Sequence, residues 1–248
     1  MEKSTVIGKN RTGMYRSPIH GRQMMEGADT LTELAAPSCY NLTAIEKQYI
    51  SKANAIGSVP VPATTRGVLK TAREKFRGHN PEVFINKLGA RLAYERAAVR
   101  LYQSVINKCE LADTRVLSTG LVNLDELKHF RDQEAEHFAL LTDALKALGA
   151  DPTAQTPDAD IGGVAAAGIK QVLSDPRTTV AQCLEVLLTL ERTDSAAWDL
   201  LIKLAADLGQ DEMCEQFRQA SLQEEHHLLR VRAWYENVTL AEVKKLAS

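Results

Sequence analysis

Apolar residues recur at alternating intervals of three and four positions along four long segments of this chain. Such spacing predicts amphipathic α-helices, because residues three and four apart fall on one side of a helix. The four predicted helices run over about 81–111, 121–149, 178–208 and 211–237. Pro81 favours a helix start, and Gly149 and Gly209 favour helix ends.

The connections between these helices predict their arrangement. The first and second helices, and likewise the third and fourth, are separated by short connections, which are typical of antiparallel hairpins. The longer connection, 150–177, contains the small-residue run GGVAAAGIKQVL, for which we predict a crossover helix. A long crossover allows the second and third helices to run parallel. The pattern therefore predicts an all-α four-helix bundle over 81–248, with a short C-terminal tail.

The first 80 residues lack this periodicity and are interrupted by many glycines and prolines. Only short helices are expected there, over about 42–55 and 65–77. We therefore predict an irregular N-terminal arm, residues 1–80, ahead of the bundle.

The arm and the bundle differ in charge. The arm carries a net charge of +6 and residues 81–248 carry −8. We interpret the arm as lying on the acidic bundle or on a neighbouring subunit. Nucleic-acid contact is the alternative, although no nucleic-acid-binding motif accompanies the basic residues. Those residues are Arg66, Lys70, Arg73, Lys75 and Arg77.

Composition narrows the class of protein further. No stretch approaches the roughly 18–20 apolar residues that a membrane-spanning helix needs, and the N-terminus lacks the apolar run of a secretory signal. The cysteines stand singly, which predicts reduced thiols and neither a disulfide framework nor a zinc site. They are Cys39, Cys109, Cys183 and Cys214. We expect a soluble, cytoplasmic protein with no membrane contact.

Each apolar seam is interrupted at mid-length by ionisable residues. The second and fourth helices each carry a Glu-x-x-His pair, whose members share one side of the helix. The predicted seams are Leu88, Leu92, Glu95, Val99, Tyr102 and Ile106 on the first helix; Leu127, Phe130, Glu134, His137, Leu141, Ala144 and Leu148 on the second; Leu184, Leu187, Glu191, Asp194, Trp198 and Ile202 on the third; and Phe217, Ala220, Glu224, His227, Val231, Trp234 and Val238 on the fourth.

The interruptions fall at one level of the bundle, because mid-length positions of helices of similar length meet at one height. Uncompensated charge in a core is very unfavourable, and two divalent cations would balance four carboxylates. The pattern therefore predicts a dimetal site. A structural bundle with a buried polar layer is the alternative. The predicted ligands are Glu95, Glu134, His137, Glu191, Glu224 and His227.

The order Glu, Glu-x-x-His, Glu, Glu-x-x-His resembles the pattern of the ferritin-like dimetal carboxylate superfamily, over about residues 81–237. By that resemblance Glu134 and Glu224 bridge the two metals and are the catalytic candidates. It also implies that each metal takes one further glutamate and one histidine. These are Glu95 with His137, and Glu191 with His227. The implied metals are two iron ions, iron with manganese, or two manganese ions.

The resemblance implies reaction with dioxygen or hydrogen peroxide. The chain lacks the paired Cys-x-x-Cys of a typical rubrerythrin, so we expect an external electron donor. Three hypotheses follow. A dimetal oxidoreductase in a small homo-oligomer, such as a dimer, is favoured. The alternatives are an iron storage or detoxification ferroxidase of ferritin type, and a non-catalytic metal-binding interaction protein.

Residues beside the proposed ligands have further interpretations. Asp194 is interpreted as the hydrogen-bond partner of a ligand histidine; the alternatives are a movable extra ligand or a partner of a helix-borne arginine. Tyr102 and Trp234 are interpreted as core residues, with electron transfer as the alternative. We expect surface positions for four neighbouring residues. They are His129, Glu136, Glu225 and His226.

Overall fold

The computed structural model describes residues 17–34, 42–62, 65, 67–69, 80–111 and 120–245, and these contain helices and no strand. The N-terminal helices are α1 (Pro18–Leu34) and α2 (Leu42–Lys52). The later helices are α3 (Pro81–Leu111), α4 (Leu124–Ala147), α5 (Pro157–Ala165), α6 (Ala167–Ser174), α7 (Val180–Asp207) and α8 (Asp211–Lys245). Residues 67–69 are also helical.

The four predicted bundle helices are present as α3, α4, α7 and α8. Thr179 begins α7 with a capping box, in which its hydroxyl accepts from the N–H of Gln182 and the Gln182 side chain accepts from the N–H of Thr179. Gly149 and Gly209 follow α4 and α7 with φ values of 81° and 62°, the left-handed backbone that ends many helices. The last helix extends beyond the predicted residue 237, and Val238 is buried within the extension.

The N-terminal part contains a longer helix than predicted. α1 spans 17 residues and includes Gly21 and Gly27, two residues expected to interrupt helices. One glycine within a helix costs about 1 kcal/mol, which is too little to break a helix by itself. α2 agrees with the helix predicted over 42–55, and the helix predicted over 65–77 lies mostly outside the described residues.

The chain divides into two compact units between Ile56 and Gly57. α1 and α2 therefore belong to one unit, and α3 to α8 belong to the other. The predicted boundary between an arm and a bundle near Pro81 stays a prediction.

Side-chain contacts define the directions of the bundle helices. α3 is antiparallel to both α4 and α7, and α8 is antiparallel to α4. It follows that α4 and α7 run parallel, as expected for helices joined by a long crossover. The defining pairs are Gln103–Arg131 and Glu110–Lys128 between α3 and α4, Arg91–Asp194 and Lys108–Thr178 between α3 and α7, and His137–Gln223 and Glu126–Arg230 between α4 and α8.

The crossover consists of two short helices, α5 and α6, where one helix was predicted. They meet at Ala166, and the glycines of the run GGVAAAG favour such an interruption. α5 packs against α3 and α6 packs against α7. The approach to α3 is close, because a Cβ atom added at Gly89 would lie 2.5 Å from Cγ2 of Thr156, the residue before α5.

The apolar core has two clusters, one on each side of the bundle's middle level. On α3, Phe84 and Leu88 belong to one cluster, whereas Val105 and Ile106 belong to the other, and Glu95 lies between them. The site region is thus enclosed by apolar layers above and below.

Two predicted seam positions were wrong by one residue. Val99 and Ile202 are half-buried, whereas their neighbours Ala98 and Leu201 are 0% and 1% exposed. Each of these helices packs against more than one neighbour, so its buried side is broader than a single line of positions and includes residues that the predicted seam left out. No helix in the described part of the chain is long and apolar enough to cross a membrane.

Candidate metal centre

The six residues predicted as ligands lie together between the two apolar clusters, and each is at most 2% exposed. Their donor atoms form two groups, in each of which all atoms lie within 4.8 Å of one another. Glu134 and Glu224 belong to both groups. The first group is Glu95, Glu134, His137 and Glu224, and the second is Glu134, Glu191, Glu224 and His227. Each group could hold a metal ion, and the two groups share two glutamates.

The Nδ1 atoms of both histidines face the carboxylates. His137 Nδ1 lies 2.7 Å from Glu224 Oε1. His227 Nδ1 lies 3.3 Å from an oxygen of Glu134, 3.3 Å from one of Glu224 and 3.8 Å from one of Glu191. Both imidazoles therefore present the same nitrogen to the centre.

The other ring nitrogen of each histidine contacts a glutamine on the opposite helix. His137 Nε2 lies 2.7 Å from Gln223 Oε1, and His227 Nε2 lies 2.9 Å from Gln133 Oε1. An amide oxygen only accepts hydrogen bonds, so Nε2 donates to the glutamine in each case. Nδ1 lies against the carboxylates of the metal-free cluster, and it would be the nitrogen that coordinates a bound metal after losing its proton. Neither glutamine was predicted from the sequence. The available signal was that each directly precedes a Glu-x-x-His pair.

Asp194 pairs with an arginine, the last of the three alternatives considered for it. Arg91 of α3 places Nη1 at 2.8 Å from Asp194 Oδ1 and Nε at 2.8 Å from Glu95 Oε1, and both ion pairs are almost completely buried. The guanidinium also lies over the ring of Tyr94, 3.7 Å from its centroid. Arg91 was not recognised from the sequence, although it lies one helical turn before Glu95.

Arg91 completes the charge balance of the centre. Burial alone would lower its pKa, but the charges of Asp194 and Glu95 outweigh burial and raise it, so the guanidinium stays charged. Arg91 and Asp194 therefore neutralise each other. The four glutamates remain, and two divalent cations would balance their charge.

The carboxyl groups have strongly perturbed acidities. Burial, together with the charge of Glu224, raises the pKa values of Glu134 and Glu191. Burial likewise raises the pKa of Asp194, although Arg91 opposes the shift. Burial would also raise the pKa of Glu224, but contacts from His137 and His227 outweigh it and lower this pKa to about 2. Such opposed shifts within one cluster are typical of functional sites.

The donor atoms fit a pair of metal ions. Buried polar atoms without hydrogen-bond partners are rare and unfavourable, yet they are concentrated here. Apart from the ion-pair contacts given above, hydrogen-bond partners are lacking for both carboxylate oxygens of Glu95, Glu134 and Glu224, one oxygen of Glu191, and Nδ1 of His137 and His227. Carboxylate oxygens and neutral imidazole nitrogens are the donors that iron and manganese take in proteins. The residues present therefore fit the group that the sequence pattern implies.

Aromatic side chains surround the centre. Tyr102 is buried and its hydroxyl donates to Glu191 Oε1 at 2.7 Å. The ring of Phe130 lies 4.1 Å from that of His227 and 5.6 Å from that of Trp234, which is also buried. Tyr102 and Trp234 are thus core residues, as predicted. The four neighbouring residues predicted at the surface are exposed. They are His129, Glu136, Glu225 and His226.

Residues 85–241 match the family model of the ferritin-like domain. The chain belongs to this family. The match covers all six residues of the centre and runs from α3 into α8, which confirms the all-α ferritin-like bundle predicted from the sequence. Comparisons with curated proteins and with solved structures found no match. The ferritin-like domain and the buried cluster together support a protein of the dimetal type.

Proposed function

We propose that this ferritin-like protein binds two iron ions, or manganese in place of one or both, and acts as an oxidoreductase on dioxygen or hydrogen peroxide. The observation that carries the proposal is the pair of overlapping donor groups sharing Glu134 and Glu224. The metals, when bound, would supply the one-electron and two-electron chemistry that protein side chains lack.

Each residue of the cluster has a role in this proposal. Glu134 and Glu224 would bridge the metals. Gln223 and Gln133 fix the orientation of the ligand histidines. Arg91 forms ion pairs with Glu95 and Asp194 and neutralises the charge of Asp194, so that the two metal cations would balance only the four glutamates. The ligands of one metal would be Glu95 and His137, and those of the other Glu191 and His227.

The electron donor of the proposed reaction is external. Three of the four cysteines are described, and they are buried, free thiols. Burial raises the pKa of the Cys109 thiol to about 12, so it is not a reactive thiolate at neutral pH. We further propose a cytoplasmic homo-oligomer of small size, such as a dimer.

Iron storage of the ferritin type is the second candidate, because a ferritin-like domain is compatible with storage as well as with enzymatic oxidation. Storage and enzymatic oxidation share the first step, oxidation of Fe(II) at paired ligands, so the donor set serves both. They differ in the assembly: storage needs a large hollow shell, whereas an enzyme works as a small oligomer. Native mass therefore separates them.

The decisive experiment is elemental analysis of the purified protein together with its native mass. We expect close to two metal ions per chain in a small oligomer, and consumption of dioxygen or peroxide when a reductant is added. Hundreds of irons in a large particle would favour storage. No metal after anaerobic Fe(II) loading would contradict both proposals and leave a structural polar layer.

A matched pair of variants tests the assignment of the site. Glu134→Ala removes a proposed bridging ligand and should lose most of the bound metal. Glu136→Ala removes an exposed glutamate two residues away on the same helix and should keep the wild-type content. Equal metal content in both variants would show that the cluster is not the binding site.

A further inference from the structure

The two donor groups of the metal centre have different surroundings. Glu95 and His137 belong to the first group only, and Glu191 and His227 belong to the second only. The donor types are the same in both, since each group has three carboxylates and one imidazole. A difference between the two metal positions would therefore come from the residues that contact these donors.

A buried cation adjoins the first group. Arg91 Nε lies 2.8 Å from Glu95 Oε1, and the two side chains are 2% and 0% exposed. A guanidinium stays protonated in proteins, and a buried charge is screened much less by solvent and salt than an exposed one. A metal ion held by Glu95 would therefore lie close to a positive charge.

Asp194 does not cancel this charge at Glu95. It is the counter-ion of Arg91, with Oδ1 at 2.8 Å from Nη1, and it belongs to neither donor group. The Arg91–Asp194 pair is neutral as a whole, but its positive member is the one in contact with a proposed ligand. Because Coulomb energy falls with distance, the repulsion from Arg91 should outweigh the attraction from Asp194 in the first group.

The second group has a neutral donor in the corresponding place. The Tyr102 hydroxyl donates to Glu191 Oε1 at 2.7 Å, and Tyr102 is fully buried. The ring of Phe130 lies 4.1 Å from that of His227. These contacts orient Glu191 and His227 without adding positive charge.

The two glutamates are otherwise alike. One oxygen of Glu95 contacts Arg91, and one oxygen of Glu191 contacts Tyr102. Apart from His227 Nδ1, which lies 3.8 Å from Glu191 Oε2, the second oxygen of each glutamate has no hydrogen-bond partner in the described part of the chain. Each glutamate thus offers one oxygen to a metal, and the charge of the group on its other oxygen is the difference between them.

We propose that the two metal positions are unequal. The position of Glu191 and His227 fills first. The position of Glu95 and His137 binds its ion more weakly, because Arg91 adjoins Glu95. This inference rests on the proposed function, since it requires a metal in each group. Arg91 thereby determines the order of metal loading, which the ligand set alone does not specify.

Variants that retain one position each compare the two affinities directly. His227→Ala leaves the position of Glu95 and His137, and His137→Ala leaves that of Glu191 and His227. Anaerobic titration of the metal-free full chain with Mn(II), followed by the electron paramagnetic resonance of the unbound ion, measures each dissociation constant. We expect binding about tenfold weaker in His227→Ala. Equal constants, or weaker binding in His137→Ala, would overturn the proposal.

The double variant Arg91→Met with Asp194→Asn tests the cause, because it removes the positive charge and keeps the charge balance. Added to His227→Ala, it should tighten Mn(II) binding about tenfold. Added to His137→Ala, it should leave binding almost unchanged. Weaker binding in the first combination alone would mean that Arg91 supports the metal by orienting Glu95, and would contradict the proposal.

Two controls accompany these variants. Arg232→Met removes a surface arginine that pairs with Glu236, and it should leave the constant of His227→Ala unchanged. Thermal unfolding verifies that each variant is folded, and a loss of structure would weaken both combinations. If the double variant is unfolded, the comparison of the two single variants remains the test.

The two proposals fail separately. Wild-type protein that binds two metals, while its single-position variants bind equally, would retain the proposed function and lose the inequality. If neither single-position variant binds Mn(II), the wild-type chain decides, because the double variant should tighten its weaker step and leave the tighter one; an unchanged weaker step would overturn the inequality. Wild-type protein that binds no metal would contradict the proposed function itself.

Discussion

Gln133 of α4 contacts His227 of α8, and the same relationship recurs in reverse between Gln223 of α8 and His137 of α4. Each glutamine directly precedes the proposed bridging glutamate of its own helix. Each of the two helices therefore carries one proposed bridging glutamate and one glutamine that contacts the histidine of the other helix. The two motifs are therefore interdependent, and the orientation of each imidazole depends on the docking of α4 against α8.

Replacement of these glutamines should weaken metal binding selectively. Gln223→Leu removes the acceptor of His137 Nε2 and frees that imidazole to change tautomer, so the metal held by Glu95 and His137 should bind about 10–100-fold more weakly. Gln133→Leu should weaken the other metal. Titration with Fe(II) or Mn(II) under anaerobic conditions, with the two steps resolved, measures both effects.

Gln219→Leu is the control for these variants. Gln219 lies one turn before Gln223 on α8 and is exposed, with its amide on Glu215. If Gln223→Leu or Gln133→Leu weakened the binding of both metals equally, the two ions would bind only cooperatively. No weakening would show that the glutamines do not determine the tautomer.

Arg91 should be one of the most sensitive positions for stability. Arg91→Met leaves Asp194 buried without its counter-ion, and breaking a buried pair on one side destabilises by about 3–5 kcal/mol. The addition of Asp194→Asn should recover a large part of this loss. Arg232→Met, which breaks a surface pair with Glu236, should change stability by less than about 1 kcal/mol. Urea unfolding of the metal-free proteins gives all values, and equal effects at both arginines would contradict the buried role.

The four long helices and the sides on which they are buried could be predicted from the sequence. The seams of four helices follow from residue spacing, because burial of an apolar stripe is the main term that stabilises an amphipathic helix. The common level of Glu95, Glu134 and their partners was predicted from the similar lengths expected for the four helices, although the helices of the structure have 31, 24, 28 and 35 residues. Their function as ligands stays a prediction, although the structure brings all six together.

Contacts between side chains of different helices could not be predicted from the sequence. Gln133 and Arg91 have ordinary surface-compatible residue types, and nothing in helical periodicity says which neighbour each will touch. The break of the crossover at Ala166 was not predicted for a similar reason. The two crossover helices pack against α3 and α7, and local helix propensity is a weak guide where packing decides the structure.

The metal-free protein should lose stability as the pH rises. Glu134 and Glu191 have pKa values raised above their ordinary range, chiefly by burial. Burial would lower the pKa of His137, but Glu224 raises it overall. Groups with raised pKa values stabilise the fold fully below their unfolded pKa values and lose that contribution as the pH rises through the folded ones.

Glu224 has the opposite shift, to a pKa of about 2. Its contribution is present above its unfolded pKa of roughly 4.3 and is lost only in strong acid. Between pH 5 and pH 8 the raised groups therefore determine the trend, and the free energy of unfolding should fall. Urea unfolding at several pH values, with a chelator present, measures the free energy of unfolding. Glu134→Gln should make this free energy depend less on pH. A free energy of unfolding that rises between pH 5 and pH 8 would contradict the assigned pKa shifts.

Gly89→Ala should disturb the crossover. A Cβ there would lie 2.5 Å from Cγ2 and 2.8 Å from Oγ1 of Thr156, whose hydroxyl donates to the carbonyl of Asn86 at 3.1 Å. The overlap should destabilise by about 1–3 kcal/mol. Thr156→Ser removes the nearer atom and should recover part of this. Gly168→Ala, in open space on α6, should instead stabilise by about 0.5–1 kcal/mol. Thermal unfolding compares them, and stabilisation by both alanines would show that α3 and the crossover are packed less closely than the structure has them.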